Sequence, residues 1–179
     1  MHLRLFIMSY CVFLSLFSFA ANSDTTAKSS ATPAKKTAVK YQIIPADTYQ
    51  SFINNWDEKK QPVLYADVCN ERDWNKLFSP ATVMGKTQKP FHPEAKDFAA
   101  NQYLIVCRVL PGGAESGKVF TVESVLASDT DLELRYRFTK PDSKSEWSAK
   151  VPLIIAVPQH PYQHIVFVEN NNALGTLER

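Results

Sequence analysis

The feature that most constrains the fold of this 179-residue chain is a set of five apolar segments of strand length between residues 103 and 169. In one of them, LELRYRF at residues 132–138, apolar and charged residues alternate, which is the period of a strand with one buried and one solvated face. The other four are YLIVCRV, VFTVESVLAS, WSAKVPLIIAVP and HIVFVEN. Five such strands in succession predict an antiparallel meander that is curled or folded into a sandwich.

Two segments that precede these strands have helical spacing instead. In PADTYQSFINNW the apolar residues of 49–56 recur at helical intervals, and Asp47 with Gln50 forms a capping pair. In NERDWNKLF, Asn70 can cap a helix that has Trp74 on its apolar face. PVLYADVC, between the two, predicts a further strand. The predicted fold class is therefore α+β and mostly β, with about five strands and two short N-terminal helices packed on them.

The connections carry their own signals. The long connection at residues 79–102 contains PEAKDFAA, which predicts one helical turn, and Asp129-Thr130-Asp131 predicts a tight turn. Pro152 interrupts the fourth apolar segment. Because proline donates no hydrogen bond to a neighbouring strand, we expect this strand to lie at a sheet edge or to begin after Pro152.

The N-terminal residues 1–20 predict a secretory signal peptide. His2 and Arg4 precede an apolar run at residues 5–19, and small residues at Ser18 and Ala20 have the spacing of a cleavage site. The alternative is a transmembrane anchor, but about fifteen apolar residues span only about 22 Å of helix against a hydrocarbon core of about 30 Å. We therefore expect an exported protein, periplasmic or secreted, with no stable membrane anchor after cleavage.

Residues 21–40 predict a disordered tether, since they contain four lysines, one aspartate and no aromatic residue. Residues 41–179 keep fifteen of the twenty basic and seventeen of the eighteen acidic residues, a net charge of −2. That charge argues against a nucleic-acid-binding domain. The length of this part is sufficient for a single globular domain with one core.

Cys69 and Cys107 are the two cysteines that remain after signal cleavage. An even number of cysteines in an exported chain predicts a disulfide between them, which would stabilise the fold by about 4 kcal/mol in the chain-entropy estimate. The alternative is a pair of buried thiols that act as small apolar residues.

Pro111-Gly112-Gly113 is the most conspicuous candidate for a functional loop. A phosphate-binding loop leads into a helix with a GK[ST] signature, and a hydrolase elbow has the pattern GxSxG; neither occurs here. The glycines instead join two predicted strands. We expect Gly112 and Gly113 to supply positive φ angles in a hairpin connection.

The histidines offer little for a metal or catalytic site. His160 and His164 are four residues apart, but prolines at 158 and 161 argue against the helix that would align them, and no HExxH pattern includes His92. No Ser/His/Asp or Cys/His set can be ordered from the sequence. We therefore assign no catalytic, cofactor-binding or metal-binding residue.

The segment from Trp74 to Val168 resembles the PrcB C-terminal-like domain, a bacterial exported module associated with a protease complex. The matching elements are WNKLF, KDFAANQYLIVCRVLPGG, an alternating strand pair, VPLIIAVPQ and IVFVEN. The chain departs from the family pattern after Gly113, where AESGK lengthens the turn. The resemblance implies a protein-binding role that stabilises or modulates an exported protease, without catalysis.

Together these observations predict an exported, non-enzymatic domain that binds another protein. A small secreted hydrolase or metal-dependent enzyme using His92, His160 or His164 is the alternative. Exposed loops and sheet faces are where such modules make contacts. The candidate contact residues are Gly112, Gly113, Glu115, Lys118, Arg135 and Arg137.

Overall fold

The computed structural model describes residues 35–45, 51–80, 91–142 and 144–179. They belong to one compact unit. The strands are β1 Thr37–Ala38, β2 Gln42–Ile43, β3 Ser51–Ile53, β4 Val63–Val68, β5 Phe78–Pro80, β6 Asn101–Pro111, β7 Phe120–Ala127, β8 Asp131–Phe138, β9 Ser148–Pro158, β10 His164–Glu169 and β11 Asn172–Glu178. The helices are α1 Glu71–Leu77, α2 Ala95–Ala100 and α3 Ser116–Val119. None of these helices has the length and hydropathy that a bilayer crossing requires.

The strands form two main sheets and one small one, so the mostly β, α+β prediction is confirmed. The five-stranded sheet has the order β1-β7-β8-β10-β11, the four-stranded sheet has the order β2-β9-β6-β4, and β3 pairs with β5. The five predicted strands correspond to β6 to β10, but they do not form a meander. Because β9 leaves for the four-stranded sheet, β10 returns beside β8 in the parallel direction. The sandwich alternative is therefore the correct one.

The four-stranded sheet is buried on both faces, which explains the unbroken apolar run in β6. Leu104 and Val106 face the five-stranded sheet, whereas Tyr103, Ile105 and Cys107 face a second core on the opposite side. All five are at most 3% exposed. Strands that are covered on both sides are apolar at every position instead of alternating.

The second core lies beneath α1, α2 and the small sheet. The side chain of Asn70 accepts a hydrogen bond from the Asp73 backbone N–H at 2.9 Å, as predicted for the cap of α1. This cap fixes the start of the helix that places Trp74, 1% exposed, against the rings of Phe78 and Tyr103. The helical turn predicted in PEAKDFAA is also present, as α2.

The first predicted helix is wrong in the part that the structure describes. Ser51–Ile53 form β3, in which Ile53 pairs with Phe78 of β5, and residues 46–50 lie outside the described residues. Pairing with a strand that is distant in the sequence outweighs the helical spacing of so short a segment. Similarly, β1 lies within the predicted tether. The prediction of disorder does not hold for Thr37–Ala38, because they pair with β7.

The predicted disulfide is also wrong, because both cysteines are free. The register of β4 and β6 pairs Leu64 with Cys107 and Val68 with Tyr103. Cys69 therefore lies five residues along the sheet from Cys107, about 16 Å at the rise of a strand, whereas a disulfide needs Cα atoms within about 7 Å. In addition, Cys107 belongs to the second core, whereas the Cys69 thiol contacts Asp67 and Arg179 on the other face.

The predictions for Pro152 and for the turn at Asp129 fit the described strands. β7 and β8 form an antiparallel pair, and the connection between them is closed by Ser128 N–H donating to the Asp131 C=O at 2.9 Å. β9 is continuous through Pro152, and β2 pairs with it at Ile155 and Ala156, followed by a hydrogen bond from the Ile44 N–H to the Ile154 C=O. Near its C-terminal end, β9 therefore lies between β2 and β6. Near Ser148 it has only β6 beside it among the described strands.

Candidate functional site

The two glycines after Pro111 have different structural roles. Only Gly113 has a positive φ, +84°. Gly112 instead permits a close approach, because a Cβ there would lie 2.1 Å from an atom of the Trp147 ring. The Gly112 N–H also donates to the Trp147 C=O at 2.7 Å. The expectation of two positive φ angles is therefore wrong for Gly112, and Trp147 is the reason for its small side chain.

The turn does not close a hairpin. It leads from β6 in the four-stranded sheet through α3 to β7 in the five-stranded sheet. Ser116 and Val119 of α3 are buried, and Ala114 packs against the sandwich core. The exposed side chains of Glu115 and Lys118 form an ion pair at 2.9 Å. The loop thus joins the two sheets at one end of the sandwich and leaves a cleft beside it.

This cleft has a volume of about 890 Å³ and opens between β7 and β9. We call it the β7/β9 groove. It is lined by residues 43–45, 114–117, 120–122 and 149–153. Its interior is mainly apolar because side chains such as Phe120, Val151 and Leu153 also belong to the sandwich core.

The groove exists because β1 and β2 cover only parts of the strands beside them. β1 pairs with Leu126 and Ala127 of β7, and β2 pairs with Ile155 and Ala156 of β9. Among the described residues, no strand lies beside Ser148 to Val151 on the side away from β6. Two strand edges therefore flank the apolar interior at this end of the sandwich.

One hydrogen bond just before β9 and one within it show which of its backbone groups face the groove. The Trp147 C=O accepts from Gly112, on the β6 side, and the Ile154 C=O accepts from the Ile44 N–H at 3.0 Å, on the β2 side. Because backbone direction alternates along a strand, the even-numbered residues direct their N–H and C=O groups away from β6. Ser148 and Lys150 are the even-numbered residues that precede Pro152.

The charges at the rim of the groove are paired with each other. Lys150 lies 3.4 Å from Glu58 and 5.1 Å from the centre of the Trp56 ring. A backbone hydrogen bond and the neighbouring Lys150 lower the pKa of Glu58. Lys150 and Glu115, the two charged residues among the described lining of the groove, are therefore each paired with a residue outside it, Glu58 and Lys118.

The predicted sheet-face contacts are engaged in ion pairs of their own. The Arg135 guanidinium binds Glu133, and Arg137 binds Glu123 at 2.8 Å. Glu133 also binds Lys36. Both arginines alternate with the inward-facing Leu134 and Tyr136 of β8, so they lie on the outer face of the five-stranded sheet.

The histidines are placed apart from one another. His92 lies 3.6 Å from Glu71, and His164 Nδ1 lies 2.9 Å from Asp131, whose pKa it lowers by hydrogen bonding. His160 Nε2 is 3.4 Å from the Asp129 C=O. Among the described residues, no three His, Cys, Asp or Glu side chains converge as a metal site would require.

Two polar clusters outside the groove were not anticipated from the sequence. In the first, the Arg179 guanidinium binds Asp67, the Cys69 thiol and the Gln102 side chain. Burial, followed by the Asp67 carboxylate, raises the pKa of Cys69 to about 12. Burial also raises the pKa of Asp67, against the opposing effect of Arg179.

In the second cluster, both oxygens of the Glu169 carboxylate accept from Arg108, at 2.7 and 2.8 Å, and one accepts from the Tyr136 hydroxyl at 2.8 Å. Arg108 also lies 4.4 Å from the centre of the Phe138 ring. One sequence signal could have indicated this cluster. Arg108 is a charged residue in an apolar strand, and it lies two residues beyond Val106, on the face of β6 that points inward.

No family model matches this sequence, and no curated protein and no solved structure shows significant similarity to it. The resemblance to the PrcB C-terminal-like domain therefore stays a prediction. The candidate site rests on the geometry of the β7/β9 groove itself.

Proposed function

We propose that this protein is an exported, non-enzymatic domain that binds an extended segment of another protein in the β7/β9 groove. The observation that carries the proposal is the combination of an apolar cleft of about 890 Å³ with strand edges on both sides. An extended segment can pair its backbone with a free strand edge while alternate side chains enter the cleft. An exported protease is the partner that the resemblance implies.

The position of the predicted loop residues supports this proposal. Glu115 lies at the rim of the groove, and Gly112 supports Trp147, which is 62% exposed. Large exposed aromatic residues are frequent at protein interfaces, where they bury a large area with few rotatable bonds.

Site-specific photo-crosslinking tests the proposal. A photoreactive amino acid is introduced at Thr121, which lines the groove and is exposed, and separately at Thr176, an exposed position on β11 outside the groove. We expect the Thr121 form, expressed in the exporting host, to capture a partner segment that the Thr176 form does not capture.

Mass spectrometry then identifies the captured segment, and the synthetic peptide is titrated against the purified exported form. The peptide should bind with one-to-one stoichiometry and compete with the crosslink at Thr121. Equal crosslinking at Thr121 and Thr176, or a captured peptide that does not bind in isolation, would contradict the proposed function.

A further inference from the structure

The β7/β9 groove also indicates what kind of segment it accepts, an inference that rests on the proposed function. We infer that the occupant is an apolar β-strand that adds to the edge of β9 at Ser148–Lys150, and that the groove recognises alternation of apolar side chains and not charge. Three features of the groove lead to this inference.

The first feature is the difference between the two edges. On β7, the register with β8 shifts between Val122 and Ser124, and the Phe120 N–H is already bonded to the Ser116 C=O. Such irregularities twist an edge away from further pairing. β9 pairs with β6 without a shift from Ser148 to Pro158. The regular edge is therefore the one on β9.

The second feature is that the edge of β9 has a defined end. Ser148 and Lys150 each direct an N–H and a C=O away from β6, whereas Pro152 has no N–H to offer in that direction. An added strand thus has four backbone groups on two residues to pair with. This is a short strand pairing, so side chains in the cleft must supply the rest of the affinity.

The third feature is the chemistry of the cleft. A strand beside β9 directs alternate side chains toward the sandwich interior, next to Ala149, Val151 and Phe120. The neighbouring charges are already neutralised, since Lys150 pairs with Glu58 and Glu115 pairs with Lys118. No unpaired charged side chain lies among the described lining of the groove, whereas apolar side chains at every second position fit its interior.

Trp147, the residue that precedes Ser148, can report a strand added at the Ser148 edge. It is 62% exposed, whereas Trp56 and Trp74 are 7% and 1% exposed. A strand on the Ser148 edge changes the surroundings of Trp147, so the tryptophan fluorescence of the protein should respond to the bound peptide. A Trp147→Phe variant identifies the source of that response.

The test uses residues 21–179 and four synthetic eight-residue peptides. One alternates valine with threonine, one has the same composition with the valines grouped together, and two alternate valine with glutamate or with lysine. We expect the three alternating peptides to bind with similar affinity and little dependence on salt. The grouped peptide should bind at least about tenfold more weakly, since only one face of a strand meets the cleft.

The edge is tested with Ser148→Pro against the matched control Ser148→Ala. Both remove the exposed hydroxyl, but only proline removes the outward N–H, at a position where pairing with β6 does not use it. We expect Ser148→Pro to weaken the alternating peptides about tenfold and Ser148→Ala to leave them unchanged. Near-ultraviolet circular dichroism verifies that both variants are folded.

The outcomes separate this inference from the proposed function. If no peptide binds and the captured partner segment does not bind either, the proposed function fails. If the grouped peptide binds as well as the alternating one and Ser148→Pro has no effect, the groove binds but the β9 strand inference is overturned. Self-association of the protein alone that Ser148→Pro abolishes would make a second copy the occupant and would also overturn the inference.

Discussion

The two sides of the sandwich differ in how the sheets are joined. On the β4/β11 side, Tyr65 lies 4.8 Å from the Phe167 ring, and a Cβ on Gly175 would lie 2.6 Å from the Tyr65 ring. Arg179 binds Asp67 across the same side. On the β7/β9 side, the loop through α3 joins the sheets at one end and the groove lies beside it.

This difference teaches that side-chain clamps, and not strand pairing, determine where the sandwich is open. Both sides present strand edges, since β4 and β11 are the last strands of their sheets among the described residues. The cleft on the clamped side has a volume of about 500 Å³, against about 890 Å³ in the β7/β9 groove. Breaking the clamps should therefore cost stability, whereas changes at the groove should affect binding.

The largest expected effect comes from breaking the Arg108–Glu169 ion pair, which joins β6 of the four-stranded sheet to β10 of the five-stranded sheet. Arg108→Ala leaves the Glu169 carboxylate buried beside Tyr136 without its cationic partner. Removal of one member of a buried ion pair costs about 3–5 kcal/mol. Urea denaturation followed by circular dichroism measures this loss.

The matched control for that prediction is the double variant Arg108→Met with Glu169→Leu, which leaves no unpaired charge. It should lose clearly less stability than Arg108→Ala alone. Equal losses in the single and double variants would show that the side chains contribute by packing and not as an ion pair.

The next prediction compares one glycine from each side. Gly175→Ala places a methyl group against the Tyr65 ring, which is held by Phe167, and overpacking of this kind costs about 1–3 kcal/mol. Gly112→Ala meets the Trp147 ring at an even shorter distance, but that ring is 62% exposed and can rotate into solvent. We expect a loss below about 1 kcal/mol for Gly112→Ala.

Thermal denaturation of both alanine variants measures the difference. Gly112→Ala should also shift the Trp147 fluorescence to longer wavelength, because it displaces the ring further into solvent. A larger loss for Gly112 than for Gly175 would mean that the groove side is as tightly packed as the clamped side.

The strands and α1 were predictable because local patterns determine them. The alternation in LELRYRF follows directly from a sheet with one solvated face, and Asn70 caps α1 within its own sequence. The pairing of the strands was not predictable in the same way. Whether β9 adds to β6 or to β8 depends on contacts between residues about forty apart in the chain, such as Arg108 with Val151.

The groove could be predicted only in part. Glu115 and Lys118 were predicted as contact residues, and of the two only Glu115 lines the groove; the cleft itself results from the short lengths of β1 and β2. No apolar periodicity marks Thr37–Ala38 or Gln42–Ile43 in the sequence. These segments form strands because they pair with the edges of β7 and β9. Trp147 carried no signal of exposure, since its isolated position in the sequence is equally compatible with a core residue.

The cysteines give a prediction of intermediate size. A denatured, unreduced protein of residues 21–179 should contain two titratable thiols, Cys69 and Cys107. In the native state both should react slowly with a thiol reagent at pH 8, because burial raises the pKa of each to about 12. Finding no free thiol after denaturation would contradict the structure.

The same shifts set a pH dependence. A thiol whose folded pKa lies above its unfolded value near 9 favours folding while it is protonated. That contribution is complete below pH 9 and is lost as the pH rises toward 12. Because Arg179 lowers the pKa of Cys69, Arg179→Ala should raise that pKa further and slow the native reaction of Cys69, while the reaction of Cys107, which Arg179 does not contact, should not change.

The smallest expected effect concerns the rim of the groove. Glu115 and Lys118 form an exposed ion pair, with side chains 63% and 74% exposed, so Glu115→Ala and Lys118→Ala should each change stability by less than about 0.5 kcal/mol. If the groove selects apolar alternation, neither variant should change peptide affinity more than about twofold, because the two charges neutralise each other beforehand. Titration of the valine–glutamate and valine–lysine peptides against both variants measures this directly. A charge-dependent change, such as stronger binding of the lysine peptide to Lys118→Ala, would show that the rim takes part in recognition. The open side of the sandwich would then select its ligand by charge at the rim as well as by apolar contact in the groove.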